Sequence, residues 1–236
     1  MVSQIKKEPS FVEAVENVNQ RTPCMLVVDA SGSMETPTRD GATRIDQLNR
    51  GLATLEQELK NDPTARVRVQ LAMVSVGGPA GGAEKMLDWT DACDFAAFPL
   101  NAGGETPLAK GLLLALNEVR LQKEWYKTNG ISYTRPWIVV LTDGEPTDPP
   151  DTWHAAANAC REAEHQKKCV IYPIGVEGVN ATTLQQISKT PVRPLNELRY
   201  VELFQWLSRS LSATSRSVSG ELVQLAPTDP WVAVKL

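Results

Sequence analysis

The feature that most constrains the fold of this chain is a set of short apolar runs separated by segments with helical spacing. The runs read "TPCMLVVDAS" (22–31), "RVRVQLAMVSVGG" (66–78), "PWIVVLT" (136–142) and "CVIYPIG" (169–175). Continuous apolar runs rich in β-branched residues are typical of strands buried on both faces. Their alternation with helices predicts an α/β fold, with a mostly parallel central sheet flanked by helices on both faces.

The helical segments show three- and four-residue apolar spacing. After the first run, one stripe contains Ile45, Leu48, Leu52, Leu55 and Leu59 and ends at Asn61-Asp62-Pro63. The second run alternates from Val67 to Met73, and a short edge strand is predicted near Met86–Trp89. A long helix is predicted from Pro107 with Thr106 as its N-cap. Further helices are predicted over 151–168, over 181–189 and, entered through a short strand, over 198–218.

The length and composition are those of one globular domain. A chain of 236 residues can bury a large core without disulfides or metals as braces. We predict a domain over 21–217, an N-terminal extension (1–20) and a C-terminal strap packed on the domain (218–236). The net charge of −4 gives no general attraction to nucleic acid or anionic lipid. No signal sequence or membrane span is apparent, and the four cysteines form no CxxC pair, so the prediction is a cytoplasmic protein with reduced thiols.

Polar residues follow two of the predicted strands and precede one helix. The first run ends in Asp29-x-Ser31-x-Ser33, "PWIVVLT" is followed by Asp143, and Thr106 precedes the long helix. Because ligands of open parallel sheets sit at the carboxyl ends of the strands, these loops are expected to meet. Two carboxylates and three hydroxyls suit a hard cation such as Mg²⁺, with Mn²⁺ or Ca²⁺ as alternatives. Taken alone, the first triplet also reads as an ordinary polar turn.

The phrase "DASGSM", with a threonine in "GGETPL" and an aspartate in "LTDGEPTD", resembles the metal-ion-dependent adhesion site of von Willebrand factor A (VWA) domains. The resemblance covers roughly 20–215 and implies a single, Rossmann-like VWA domain. It also implies a metal set of Asp29, Ser31, Ser33, Thr106 and Asp143, with hydroxyls binding directly and aspartates directly or through water. The function implied is a non-catalytic, Mg²⁺-dependent protein-binding module, in which an Asp or Glu of a partner protein completes the coordination.

Within this family, "GGETPLAKGLLLAL", "PWIVVLTDGEPTD" and "LVQLAPTDPW" look most like small bacterial cytoplasmic proteins of the TerY-like, tellurium-resistance-associated subgroup. That likeness implies a role in a stress-response or defence system, with kinase-like or phosphatase proteins as partners. From the net charge of −4 and the lack of a long apolar segment, we expect no nucleic-acid partner and no membrane insertion. Glu105, just before Thr106, departs from the small residue expected there, and we expect it to point to solvent.

The sequence argues against several enzymes. Ser31 and Ser33 lack the Gly-x-Ser-x-Gly frame of a serine hydrolase, and an aspartyl-phosphate transferase would need an acid at position 31. Gly77–Gly82 has the spacing of a phosphate loop but is followed by Ala-Glu instead of Lys-Ser or Lys-Thr. His154, Cys160, His165 and Cys169 match no common zinc spacing. Two alternatives stay open: a metal-dependent phosphotransfer or hydrolytic enzyme, and a scaffold whose metal only stabilises the fold.

Overall fold

The computed structural model describes residues 20–38, 40–143, 145–176, 178–195, 199–217 and 225–228. The strands are β1 (Thr22–Ala30), β2 (Val69–Gly77), β3 (Ala83–Asp91), β4 (Trp137–Thr142), β5 (Val170–Gly175) and β6 (Arg193–Pro194). The α-helices are α1 (Arg44–Asn61), α2 (Ala65–Arg68), α3 (Leu108–Thr128), α4 (Pro150–His165), α5 (Ala181–Leu184) and α6 (Tyr200–Arg216).

The strands form one sheet in the order β3-β2-β1-β4-β5-β6. All neighbouring pairs are parallel except β2 and β3, which are antiparallel. The two strands that precede the predicted site residues, β1 and β4, are direct neighbours in register. Their carboxyl ends therefore meet at one edge of the sheet, as the α/β prediction requires.

Side chains alternate along β1 between two apolar layers. Cys24, Leu26 and Val28 face the layer formed by α1 and α6, whereas Met25 and Val27 face the layer formed by α3 and α4. All nine residues of β1 are buried. This double burial explains the continuous apolar run and confirms the prediction of helices on both faces.

Helix α1 follows the predicted stripe, and both of its ends are fixed by side chains. At its start, the Thr43 hydroxyl accepts a hydrogen bond from the Asp46 backbone N–H, and the Asp46 carboxylate accepts one from the Thr43 backbone. At its end, the Asp62 carboxylate accepts the backbone N–H groups of Thr64 and Ala65, each at 2.8 Å. The same carboxylate accepts from Ser212 of α6, so it joins the two helices of this layer.

Several predicted boundaries are wrong. The second strand begins at Val69 instead of Val67, because 65–68 form the short helix α2. Helix α3 begins at Leu108, and Thr106 does not cap it; Asp148 Oδ2 instead accepts the Ala109 backbone N–H at 2.8 Å. Helix α4 ends at His165, before the left-handed Lys167 (φ 54°). The last short strand is β6 and lies earlier than predicted, since Tyr200 already opens α6.

Only part of the predicted C-terminal strap is described. Within 225–228, the Ala226 carbonyl accepts a hydrogen bond of 2.8 Å from Trp206 Nε1, and Leu225 and Ala226 pack against the α1 and α6 layer. The rest of the strap and the predicted extension before residue 20 lie outside the described residues, so the domain limits remain predictions. Among the described helices, none has both the length and the apolar character needed to cross a membrane.

Candidate metal centre

Asp29 is the deepest of the predicted site residues. It belongs to β1, lies opposite Val76 of β2, and is 1% exposed. Its Oδ1 atom accepts the Ser31 backbone N–H at 2.8 Å, and its Oδ2 atom accepts from the Thr142 hydroxyl at 2.5 Å. The neighbouring strand β4 therefore helps to fix the direction of this carboxylate.

The electrostatics of Asp29 disfavour its ionised form. Burial raises the pKa of the Asp29 carboxyl, and the nearby charge of Asp143 raises it further. Hydrogen bonds from Ser31 and Thr142 act in the opposite direction, but they do not offset burial. A cation beside the two carboxylates would reverse the main penalty, since an opposite charge favours the ionised form.

Ser33 connects the first loop to the end of β4. It lies in a 3₁₀ turn (Gly32–Glu35) that follows β1 directly. Its hydroxyl donates to Asp143 Oδ1 at 2.6 Å and lies 3.0 Å from the Ser31 hydroxyl. Four of the five predicted side chains, those of Asp29, Ser31, Ser33 and Asp143, are thus brought together in one hydrogen-bonded group.

Arg44 is a neighbour of this group that the sequence did not reveal. It is the first residue of α1, and its Nη1 atom lies 2.5 Å from Asp143 Oδ2. The Arg44 side chain is 15% exposed, whereas that of Asp143 is fully buried. The group therefore contains two carboxylates and one guanidinium, and both oxygens of Asp143 accept hydrogen bonds.

Backbone hydrogen bonds hold two loops against the end of β1. The Ala30 carbonyl accepts from Gly78 N (2.7 Å) and from Gly103 N (2.9 Å), and Gly32 N donates to the Gly104 carbonyl (3.0 Å). Gly77 has φ +82°, and a Cβ there would lie 2.6 Å from the Ser31 backbone. Only glycine allows this approach, so the loop after β2 is part of the construction of the site.

Thr106 reaches the same region through its loop. It is buried, and its carbonyl accepts the Leu108 N–H at 2.8 Å and the Thr147 N–H at 2.9 Å, which joins this loop to the one after β4. Among the hydrogen bonds found in the described part of the chain, none connects the Thr106 hydroxyl with the other four side chains. Glu105 is exposed, as expected.

The donor chemistry fits a hard cation. Carboxylate and hydroxyl oxygens are the ligands that Mg²⁺ takes in proteins, usually with one or two carboxylates. Within the described ranges, no three His, Cys, Asp or Glu side chains gather as they would around zinc. His154 and His165 are exposed, and burial raises the pKa of the Cys169 thiol to about 12, which keeps it protonated. A thiolate-bound metal is therefore not supported.

The comparison with protein families identifies the class. The chain matches the von Willebrand factor type A domain over residues 25–202, which is most of its length. It therefore belongs to the VWA family, as the "DASGSM" phrase indicated. None of the curated proteins compared with the chain matches it.

Solved structures show the same fold. The pilus adhesin SpaC from Lactobacillus rhamnosus GG aligns with a TM-score of 0.63 and 16% identity over 82% of this chain, which spans 31% of the adhesin. The vWF domain of the type V pili tip protein Mfa5 from Porphyromonas gingivalis aligns at 0.58 and 10% identity, covering 86% of this chain and 98% of that one. The SpRpn10 VWA domain aligns at 0.55 and 14% identity, with 78% and 95% covered. At these identities, the likeness concerns the fold alone.

Proposed function

We propose that this VWA domain is a non-catalytic, Mg²⁺-dependent protein-binding module whose metal site takes an Asp or Glu side chain from a partner. The observation that carries the proposal is the hydrogen-bonded group of Asp29, Ser31, Ser33 and Asp143 at the carboxyl edge of the sheet. The loop that contains Thr106 is bonded to the same edge. This donor set is rich in neutral hydroxyls and poor in charge.

The residues around the site have separate roles in this proposal. Ser31, Ser33 and Thr106 would bind the metal through their hydroxyls, and the two aspartates directly or through water. Thr142 orients Asp29, and Arg44 holds Asp143. These residues would hold a Mg²⁺ ion, which would supply an electrophilic centre for one oxygen of a partner carboxylate. Two carboxylates and one guanidinium give the side chains a formal charge of about −1. A bound Mg²⁺ would bring the total to about +1, so a partner carboxylate would make the site neutral.

Specificity would come from the loops that surround the site. The segment "GGPAGGAE" (77–84) joins the site at Gly78, which donates to Ala30, and Pro79 and Ala80 are exposed. The segment after β4 joins it at Thr147, which donates to Thr106. A partner that places a carboxylate at the metal would contact both segments. The metal thus selects the type of side chain, and the loops select the protein that presents it.

The biological setting is proposed from the sequence likeness to the TerY-like subgroup. The TerY-like phrases support a cytoplasmic bacterial stress-response or defence system, related to tellurite resistance, with kinase-like or phosphatase partners. All four cysteines are free, and this fits a reducing compartment. Two structural neighbours are a pilus adhesin and a minor pilin, so an extracellular adhesive role is the alternative setting.

Titration calorimetry with MgCl₂ tests the metal site. We expect one binding event for the wild type and its loss in Thr106→Ala and Asp143→Asn. Thr54→Ala, on the outer part of α1, and Asp151→Asn, in α4, are the matched controls and should bind as the wild type does. Unchanged Mg²⁺ binding in both site variants would contradict the proposal.

Two further measurements separate the alternatives. Partner proteins retained from a native lysate in Mg²⁺ should be released by EDTA and should not bind to Asp143→Asn. Hydrolysis of p-nitrophenyl phosphate or p-nitrophenyl acetate with Mg²⁺ or Mn²⁺, abolished by the same variant, would instead indicate an enzyme. A melting temperature that falls in EDTA while partners stay bound would indicate a metal that only stabilises the fold.

A further inference from the structure

A groove with an apolar floor runs between α3 and α4 on the outer side of their layer. Its volume is about 650 Å³. The floor consists of Leu113, Leu116 and Val119 from α3 and Ala159 and Ala163 from α4. Leu113, in the second turn of α3, is 39% exposed. Apolar surface of this kind, concentrated in a concave site, is typical of a docking position.

One end of the groove is basic. Lys123 and Lys127 of α3 line it together with Lys168, which follows α4. Among the described residues, none of these three lysines forms an ion pair with an acid. Arg120, by contrast, is paired with Glu124 at 2.8 Å. The remaining acid of the groove, Glu162, accepts from Gln166 and keeps its negative charge, so the three lysines outnumber it.

The cations at this end affect one another. Burial lowers the pKa of the Lys123 ammonium, and the charges of Lys127, Lys168 and Arg135 lower it further. The Lys123 Nζ atom also donates to the Lys168 carbonyl at 2.9 Å, which holds it near the other amines. Positive charge is thus concentrated here on a protein whose net charge is −4. An acidic ligand would relieve this repulsion.

We propose that the groove is the docking site for an acidic amphipathic helix of a partner protein. Apolar side chains at helical spacing would fill the floor, and Asp or Glu side chains on the flank would meet Lys123, Lys127 and Lys168. From Leu113 to Lys127, helix α3 offers about 21 Å of contact at 1.5 Å per residue. This interaction involves no metal, and it therefore goes beyond the function proposed above.

The apolar floor of the groove favours an amphipathic helix over a nucleic acid as its ligand. Phosphates would meet the lysines, but nothing in a phosphate backbone would cover Leu113 and Leu116. An amphipathic helix satisfies both parts of the groove at once. Its binding should therefore depend on leucine side chains and on acidic side chains together.

The test uses the full chain in EDTA, so that the metal site does not contribute. The probe is a fluorescein-labelled 15-residue helical peptide with a leucine stripe and glutamates beside it, and binding is followed by anisotropy. We expect micromolar affinity that weakens as the salt concentration rises. In Leu113→Glu, the affinity should fall by about tenfold or more. Leu121→Glu is the matched control, because Leu121 lies on the same helix, is 43% exposed and does not line the groove. Its affinity should change less than about twofold.

A second variant, Lys127→Glu, keeps the test independent of any folding defect in Leu113→Glu. Lys127 is exposed at the last turn of α3, and its replacement should lower the affinity for the peptide by about fivefold or more. Circular dichroism and the melting temperature verify the fold of each variant. Equal affinities of Leu113→Glu and Leu121→Glu would overturn the proposal, as would equal binding of a peptide with lysines in place of the glutamates.

Other occupants would appear as distinct results, each of which also overturns the proposal. Equally tight binding of an acidic peptide without leucines would assign the site to polyanions. A dimer that Leu113→Glu dissociates, observed by analytical ultracentrifugation, would assign the groove to a second copy of the chain.

Discussion

The Arg44 guanidinium and the Asp143 carboxylate form a partly buried ion pair of 2.5 Å that joins the start of α1 to the end of β4. Asp143 also accepts from Ser33, so the pair fixes a carboxylate that belongs to the candidate metal site. Arg44 therefore influences this site in two ways. It orients one ligand, and it cancels part of the negative charge that a cation would meet.

The charge effect leads to the first prediction. Replacing Arg44 with Gln removes one positive charge beside Asp143, so Mg²⁺ should bind about tenfold more tightly, equivalent to about 1.4 kcal/mol. In EDTA the same variant should be less stable than the wild type, because Asp143 loses its partner. Titration calorimetry and urea unfolding measure the two effects separately.

Arg50→Gln is the control for this prediction. Arg50 lies on the same helix, is 59% exposed, and is 3.7 Å from Asp40 at the surface. Its replacement should leave Mg²⁺ binding within about twofold of the wild type. Weaker Mg²⁺ binding in Arg44→Gln would show that orientation of Asp143 matters more than charge.

Thr142 supports the second prediction. Thr142→Val keeps the shape of the side chain but removes the donor to Asp29 Oδ2, and this should cost about 1–3 kcal/mol of unfolding free energy in urea. Thr54→Val removes a hydroxyl that donates to the Arg50 carbonyl on α1 and should cost less than about 0.5 kcal/mol. Equal losses of unfolding free energy in the two variants would mean that the hydrogen bond to Asp29 stabilises the fold no more than the one within α1 does.

Alanine substitutions at Gly77 and Gly130 distinguish the cost of backbone strain from the cost of a steric clash. Both have positive φ, +82° and +65°, but a Cβ at Gly130 would meet nothing within 4 Å. Gly130→Ala should therefore cost about 1 kcal/mol, whereas Gly77→Ala should cost at least about 3 kcal/mol and abolish Mg²⁺ binding. Thermal or urea unfolding measures the difference. Similar costs would contradict the close packing of Gly77 on Ser31.

The ionisation of Asp62 should make the stability of the fold depend on pH. Burial opposes its ionisation, but hydrogen bonds from Ser212, Ala65 and Thr64, together with the charge of Arg216, outweigh burial and lower the pKa of Asp62. A carboxyl with a lowered pKa in the folded state stabilises the protein above its unfolded pKa of about 3.9, and this stability is lost as the pH falls through the folded value.

Asp62→Asn should therefore be about 1 kcal/mol less stable than the wild type at pH 7. The two proteins should converge in urea unfolding below about pH 3. A difference that stays constant from pH 7 to acid would show that packing, and not ionisation, explains the role of Asp62. Ser212→Ala should reproduce part of the loss at pH 7, since it removes one of the donors.

The sequence predicted the layers of the fold because burial leaves a local signal. The apolar run of β1 and the stripe of α1 each follow from periodicity alone, and both are found where predicted. Helix ends are different, because the residue that caps them can come from far away in the chain. Asp148, which follows β4, caps α3, and no spacing near Thr106 indicates this.

The candidate site likewise contains residues with a local sequence signal and residues whose contacts come from distant parts of the chain. Asp29, Ser31 and Ser33 are local in sequence, and Asp143 follows from the rule that parallel strands end at one edge. Arg44 and Thr142 were not predicted, because their contacts depend on how α1 and β4 approach β1. Thr142 had one usable signal: it directly precedes Asp143 at the end of a strand predicted beside β1.

Helix α3 connects the two surfaces that we propose for partner binding. It begins beside the loop that contains Thr106, forms one wall of the α3–α4 groove, and ends at the basic end of the groove, about 31 Å away at 1.5 Å per residue. About ten extended residues would span this distance. One ligand chain with an acidic side chain at one end and an acidic helix at the other could engage both surfaces at once. Its avidity would then exceed either separate affinity, because the second contact forms at a high effective concentration.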